Sequence, residues 1–304
     1  MDFELGQLAS QPCLGNVEND DAAGWVRTAA SVYAWVIDGG TSLADENYLG
    51  TALGDVAWFA DALSREIARH AGREMSARDL HAEAAAAVAQ DYAALLDARA
   101  GAVPLYACPI AAVTVIRITG TGSACRGDLF HLADCPAFTM DRDGKVRRIT
   151  LGENVEAENR VRERVMASQS SHGFAPAAIM AEQKPWLRER REMQLRASPC
   201  PISTPAAGAS FGGWQRSIDL ATIDAIVLMS DGFERYTTEY TLGDDREMIA
   251  ATLRDGADAV LDRIRALEQS DTECRAFPRL KVSDDATCLA LGRVPPGDRP
   301  GRSG

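Results

Sequence analysis

The apolar residues of this 304-residue chain gather into strand-length runs, and several of those runs end at or begin from an aspartate. The longest, IAAVTVI from Ile110 and AIVLM from Ala225, fall well short of the roughly 18 residues needed to span a bilayer as a helix. Sheets are therefore expected, with carboxylates emerging at their edges, where they stay hydrated and can converge. FELGQLAS at the start and SVYAWVID (31–38) read as strands, being rich in β-branched and aromatic residues and bounded by Gly, Asn and Asp. They look like neighbours in one sheet.

Residues 46–70 carry Leu49, Leu53, Val56, Ala60, Leu63 and Ile67 at helical spacing, and 76–99 repeats the pattern after a break at Gly72. Two long antiparallel helices would cover one face of a sheet. Strand-like runs return at 110–118, 125–133 and 136–140, followed by the turn DRDGK and VRRIT, which reads as a meander. SFGGWQRSIDL and DAIVLMSD read as strands, 243–268 as a helix and ATCLALGRV as the final strand. One α+β domain over 1–294 with an antiparallel core is the economical reading, followed by a disordered tail at 295–304.

Lys plus Arg number 32 against 44 Asp plus Glu, a formal charge of -12, which argues against a general binder of nucleic acid or anionic membrane. An excess of carboxylates suits divalent cations instead. The local exception is 142–196, with twelve Lys and Arg against eight Asp and Glu; its interleaved signs read as a solvated helical face. The seven cysteines form no Cys-x-x-Cys pair and are odd in number, so neither a disulfide framework nor a zinc ribbon is expected. The acidic N-terminus, MDFELGQLAS, lacks the basic start of a secretory leader, and a cytoplasmic location is expected. The four histidines show no ligand spacing, and the P-loop pattern GxxxxGK[ST] is absent. A serine hydrolase built on a strand-to-helix nucleophile elbow is not expected either.

The acidic positions carry the chemistry. ENDDA places Asp20 and Asp21 just before the strand at 31–38; Asp38 ends that strand in Asp-Gly; Asp231 ends another, also before Gly; Asp284 and Asp285 open the last. Any one Asp-Gly at a strand end is an ordinary turn. Their joint order is not ordinary, and oxygen ligands of this kind are what hard divalent cations require, with the carbonyl of Gly39 as a further donor.

In that order the motifs resemble the metal-dependent serine/threonine protein phosphatases of type 2C, particularly bacterial members, over nearly the whole chain. ENDDA is similar to the family's Asn-Glu-Asp motif, VIDGGTS to Val-Phe-Asp-Gly, IVLMSDGFERY to Leu-Ser-Asp-Gly, and SDDATCLALG to the terminal Asp-Asn/Asp motif. The resemblance implies a four-layer αββα sandwich with two Mg²⁺ or Mn²⁺ ions at one end. It implies that Asp38 bridges both ions, Gly39 offers its carbonyl, Asp231 and Asp284 bind one ion, and Asp21 completes the site. Asp20 would stand behind these ligands, and Asp134, in a segment similar to the family's Gly-Asp-Ser/Cys, would serve a third, weaker ion. Catalysis would rest on Asp38 and Asp231 through water activated by the ions. The substrate implied is a phosphorylated protein, with a Ser/Thr kinase as its counterpart, and 142–208 would correspond to a variable flap beside the site.

The chain departs from the family pattern in three places. PCLGNVEND has no Arg to grip phosphate ahead of the first motif, Gly40 stands where some members have His, and Asp20 replaces a glutamate. A non-catalytic member acting as a binding module is the alternative from another class. A metal-dependent nuclease is a third, and it would need a basic groove.

Overall fold

The computed structural model describes residues 2–99, 102–151, 163–168, 175–206 and 208–294. The strands are β1 (Phe3–Gln11), β2 (Ala22–Arg27), β3 (Ser31–Gly39), β4 (Ala111–Thr119), β5 (Arg126–Leu132), β6 (Ala137–Asp141), β7 (Val146–Arg148), β8 (Trp214–Asp219), β9 (Ile223–Met229) and β10 (Ala286–Arg293). Among the described residues they form two five-stranded sheets, ordered β1-β10-β9-β6-β7 and β2-β3-β4-β5-β8, with antiparallel pairing throughout.

The period of two along each strand explains the layers. In β3, Val32, Ala34 and Val36 join Ile116, Ile226, Leu228, Leu289 and Leu291 in a cluster between the sheets. The alternate residues Tyr33, Trp35 and Ile37 point the other way and pack on helices α1 (Asp55–His70) and α2 (Ala77–Asp97). On the far side, Val227, Met229, Cys288 and Ala290 meet helices α5 (Asp245–Asp255) and α6 (Ala257–Ser270). A strand buried on both faces must be apolar at both parities, which is why β3 and β9 read as continuous runs. The four-layer αββα sandwich expected from the motifs is what the chain forms.

Several local expectations need correction. β1 and β3 are not neighbours: β1 pairs with β10, Phe3 opposite Arg293, in the other sheet. Nor do 125–133 and 136–140 form one meander, because β5 and β6 belong to different sheets and the chain crosses between them at Ala133–Pro136, with Ala133 at φ 69°. The first helix begins at Asp55 rather than 46. The Asp55 carboxylate accepts hydrogen bonds from the Tyr48 and Leu49 amides, both at 2.9 Å, and holds the preceding residues in a loop. The helix expected over 243–268 is two helices, broken at Gly256, whose φ of 99° no L side chain adopts readily. β2 escapes sequence reading because it is short and half-buried, and its Gly24 lies under the Trp35 ring, where a Cβ would collide.

The basic segment is part of the fold at both ends. β7 adds to the edge of one sheet, and helix α3 (Pro176–Arg196) lies against the loop after β3, with Arg188 donating to the Leu43 carbonyl at 2.8 Å and Lys184 to Asp45 at 3.1 Å. His172 and the tail at 295–304 fall outside the described residues. Among the described residues no helix is long and apolar enough to cross a membrane.

Candidate active site

One end of the sandwich collects the acidic residues. Asp38 shares the inward parity of Val32, Ala34 and Val36 but lies at the strand's end, so it reaches the seam between the sheets. Asp231 follows β9 from the opposite sheet and is the first residue of helix α4 (Asp231–Thr238). Its amide donates to Asp38 Oδ2 at 3.1 Å, tying the two sheets together at this point. Asp38, Asp134, Asp231 and Asp284 line one cavity of about 230 Å³, together with Gly39, Gly40, Lys281 and residues of α3.

Asp21 sits behind this cavity, 7% exposed, and its Oδ2 has no hydrogen-bond partner. A buried carboxylate oxygen left in that state is costly unless a cation or a proton satisfies it. Asp20 opens instead onto a second hollow, lined by Glu18, Asp45 and Asp55. Asp285 anchors this corner by accepting from the Cys13 amide at 2.7 Å and the Asp20 amide at 3.2 Å. Gly39 has no room for a side chain, since a Cβ would collide with the Asp20 carbonyl and Val56. Gly232 is equally confined, against the Asp285 carbonyl.

The electrostatics follow from this crowding. Burial, then the carboxylates of Asp231, Asp21, Asp134 and Asp284, push the Asp38 carboxyl well above the usual range. Burial also raises Asp21, with Asp285 and Asp231 adding to it against the pull of the Ser230 and Thr287 hydroxyls. Asp231 is raised by burial and by Asp284, and Asp20 is pushed up to about 7 by burial and Asp285. Asp284 is the exception. Burial would raise it too, but Lys281, at 2.6 Å, and Arg235, at 2.7 Å, outweigh that and hold it below the ordinary value.

Sequence reasoning missed these two cations. Lys281, three residues before Asp284, was a local signal; Arg235 was not, because it stands one helical turn after Asp231 yet meets Asp284, 49 residues further along the chain. The reading of 142–196 as a plain solvated face also missed that Leu187, Arg190, Arg191 and Gln194 line the cavity. Arg191 is 6% exposed, donates to the Thr41 carbonyl at 3.0 Å, and is lowered to about 10 by burial.

The donors are all oxygens, which suits Mg²⁺ or Mn²⁺ rather than zinc or copper. The unpartnered Asp21 Oδ2 and the mutually repelling Asp38 and Asp231 are groups a cation would relieve. Among the described residues, no three carboxylate, imidazole or thiol side chains are gathered around a single point as a finished metal cage. Asp284 is turned to Lys281 and Arg235 instead.

One excluded chemistry needs a correction. Gly208-Ala209-Ser210-Phe211-Gly212 does have Gly-x-Ser-x-Gly spacing. It lies outside any strand-to-helix turn, however, and the buried His81 nearby pairs with Ser203 at 2.9 Å and is driven down to about 3 by desolvation, so it is a poor base.

A phosphatase-type sandwich with a carboxylate-lined cleft at one end is the class these features define. Residues 15–269 match the family model for protein phosphatase 2C, and the chain belongs to that family of phosphoprotein phosphatases. Similar solved structures include the serine/threonine phosphatase of S. agalactiae, 13% identical, with 96% of this chain and 100% of that one covered at a TM-score of 0.54. Staphylococcus aureus Stp1 is 13% identical over 96% of each chain, TM-score 0.53. The catalytic domain of the phosphatase PstP, described in complex with two manganese ions, is 15% identical over 97% of this chain and 99% of that one, TM-score 0.51. At these identities the likeness concerns the fold. No curated protein matches the chain.

Proposed function

We propose that this chain hydrolyses phosphoserine or phosphothreonine on a protein substrate in the cytoplasm, opposing a Ser/Thr kinase. The observation that carries the reading is the meeting of Asp38 and Asp231 from opposite sheets in one cavity with Asp134 and Asp284. Asp21, Asp38, Asp231, Asp284 and the Gly39 carbonyl would hold two Mg²⁺ or Mn²⁺ ions, with Asp134 available to a third. Such ions, when bound, lower the pKa of water and draw charge from phosphoryl oxygens.

The chain's own residues do the rest. The Asp231 amide holds the Asp38 carboxylate, so that carboxylate is aimed into the cavity before substrate arrives. Gly39 and Gly232 keep side chains out of the wall where backbone and carboxylates pack. Lys281 and Arg235 both pair with Asp284, so its carboxylate would have to be shared with or released by them to serve as a ligand. Gly40 has no side chain to donate a proton, so the leaving oxygen would take its proton from solvent in the cleft.

The test is phosphate release from a phosphothreonine peptide with Mn²⁺, with Mg²⁺ and with EDTA, alongside a folded Asp231→Asn variant. Metal-dependent release that the variant loses supports hydrolysis. The ion pairs already on Asp284 favour the second reading, a regulatory binding module without turnover. That reading gains if folded protein shown to bind the metal releases no phosphate from several phosphopeptides.

A further inference from the structure

The segment PCLGNVEND brings no guanidinium to the cleft, whereas Arg190 of helix α3 lines it. We propose that Arg190, on helix α3, grips the substrate's phosphoryl group; this rests on the phosphatase reading above. The helix presents Met180, Leu187, Arg190, Arg191 and Gln194 to the cavity, a face repeating at three, four and seven residues.

The other cations of the helix and of the cavity wall already have partners. Lys184 and Arg188 hold Asp45, Arg191 donates to the Thr41 carbonyl, Arg196 pairs with Glu192 at 2.7 Å, and Lys281 is on Asp284. Arg190 makes no ion pair among the described residues, only a contact with the Trp186 ring, 5.9 Å from the guanidinium carbon to the ring centre. It therefore keeps its full donor fork for a ligand, and a planar guanidinium matches two phosphoryl oxygens at once. The bonds from Arg191, Arg188 and Lys184 to the loop at 41–45 fix the helix that carries Arg190 over the cleft. Arg190 would thus recover, from a distant part of the chain, what PCLGNVEND lacks.

The test uses full-length, Mn²⁺-loaded protein and the variants Arg190→Ala, Arg190→Lys and, as a control on the same helix, Arg196→Ala. KM is measured for a phosphothreonine peptide and for p-nitrophenyl phosphate. Binding of a non-hydrolysable phosphonate analogue of the peptide, and of the unphosphorylated peptide, is measured by fluorescence anisotropy. Loss of a charged hydrogen bond is expected to raise both KM values and the phosphonate Kd about tenfold or more in Arg190→Ala, with kcat changed less. Arg190→Lys should recover part of the loss, and Arg196→Ala and the unphosphorylated peptide should show no change. Unchanged KM and Kd in Arg190→Ala overturn the proposal. A peptide effect with p-nitrophenyl phosphate untouched also overturns it, since the contact would then be to the peptide rather than the phosphoryl group. If wild type binds the phosphonate but hydrolyses nothing, the parent reading fails, while the Kd of Arg190→Ala still decides the role of Arg190.

Discussion

Removing the Asp38 charge should stabilise the metal-free protein while destroying its ability to use metal. In Asp38→Asn the side chain keeps an oxygen to accept from the Asp231 amide, so the link between the sheets survives. What disappears is one negative charge facing Asp231, Asp21, Asp134 and Asp284. Two unit charges 4 Å apart interact by about 1 kcal/mol in water and about 4 kcal/mol at an effective dielectric of 20. Proton uptake already relieves part of this in wild type, so the expected gain is on the order of 1–3 kcal/mol at about pH 8 in EDTA. The sign with pH follows from the raised carboxyl. Below its raised folded pKa wild-type Asp38 takes up a proton in the native state, so the advantage of the variant shrinks as pH falls and is gone below the ordinary carboxylate value of 3.8. Adding Mn²⁺ at a thousand times its Kd inverts the order, because a ligand at that level contributes about 4.1 kcal/mol to the protein that binds it. Urea unfolding followed by circular dichroism, with and without Mn²⁺, reads all three effects. A metal-free variant less stable than wild type, or a gain that does not change with pH, would refute the electrostatic reasoning.

Three further outcomes are expected. Gly232→Ala drives a methyl into the Asp285 carbonyl and toward Asp284 Cβ at 3.3 Å, so it should cost about 1–3 kcal/mol in urea unfolding and weaken Mn²⁺ binding in calorimetry; unchanged values would contradict the packing. Arg265→Met strips Glu268, 0% exposed, of its 2.7 Å partner and leaves it, among the described residues, the Tyr240 hydroxyl at 3.0 Å, a loss of about 3–5 kcal/mol that a chemical melt would detect. With Asp20 pushed up to about 7, the native state in EDTA keeps a proton that the unfolded chain releases near the ordinary carboxylate value of 3.8. Stability in EDTA should therefore be full below that value and fall between about pH 4 and 7, by up to about 1.4 kcal/mol per pH unit; a urea midpoint that rises across this window would reverse the sign.

Asp38 and Asp231 were legible because each ends an apolar run just before Gly, and Asp20, Asp21, Asp284 and Asp285 because they stand as acidic pairs ahead of strand-like runs. Helices α1 and α2 were legible from their apolar spacing, apart from the loop that Asp55 holds by bonds to Tyr48 and Leu49. The division of strands between sheets was not. Pairing β1 with β10 joins the two ends of the described chain, and nothing in FELGQLAS itself selects that partner over β3. Lys281, three residues from its partner Asp284, was locally visible; Arg190 and Arg235 were hidden for the same reason as the strand pairing, since they come from separate segments and only the tertiary fold shows which carboxylate each one meets or leaves alone.

The central claim is that Asp21, Asp38, Asp231 and Asp284 hold divalent cations at one end of the sandwich. Its most direct test is the anomalous difference density of Mn²⁺-soaked crystals. Two strong peaks between Asp38 and its neighbours Asp21, Asp231 and Asp284, with Lys281 and Arg235 withdrawn from Asp284, are the predicted result. Manganese confined to other acidic surfaces, with both cations still on Asp284, would contradict the account.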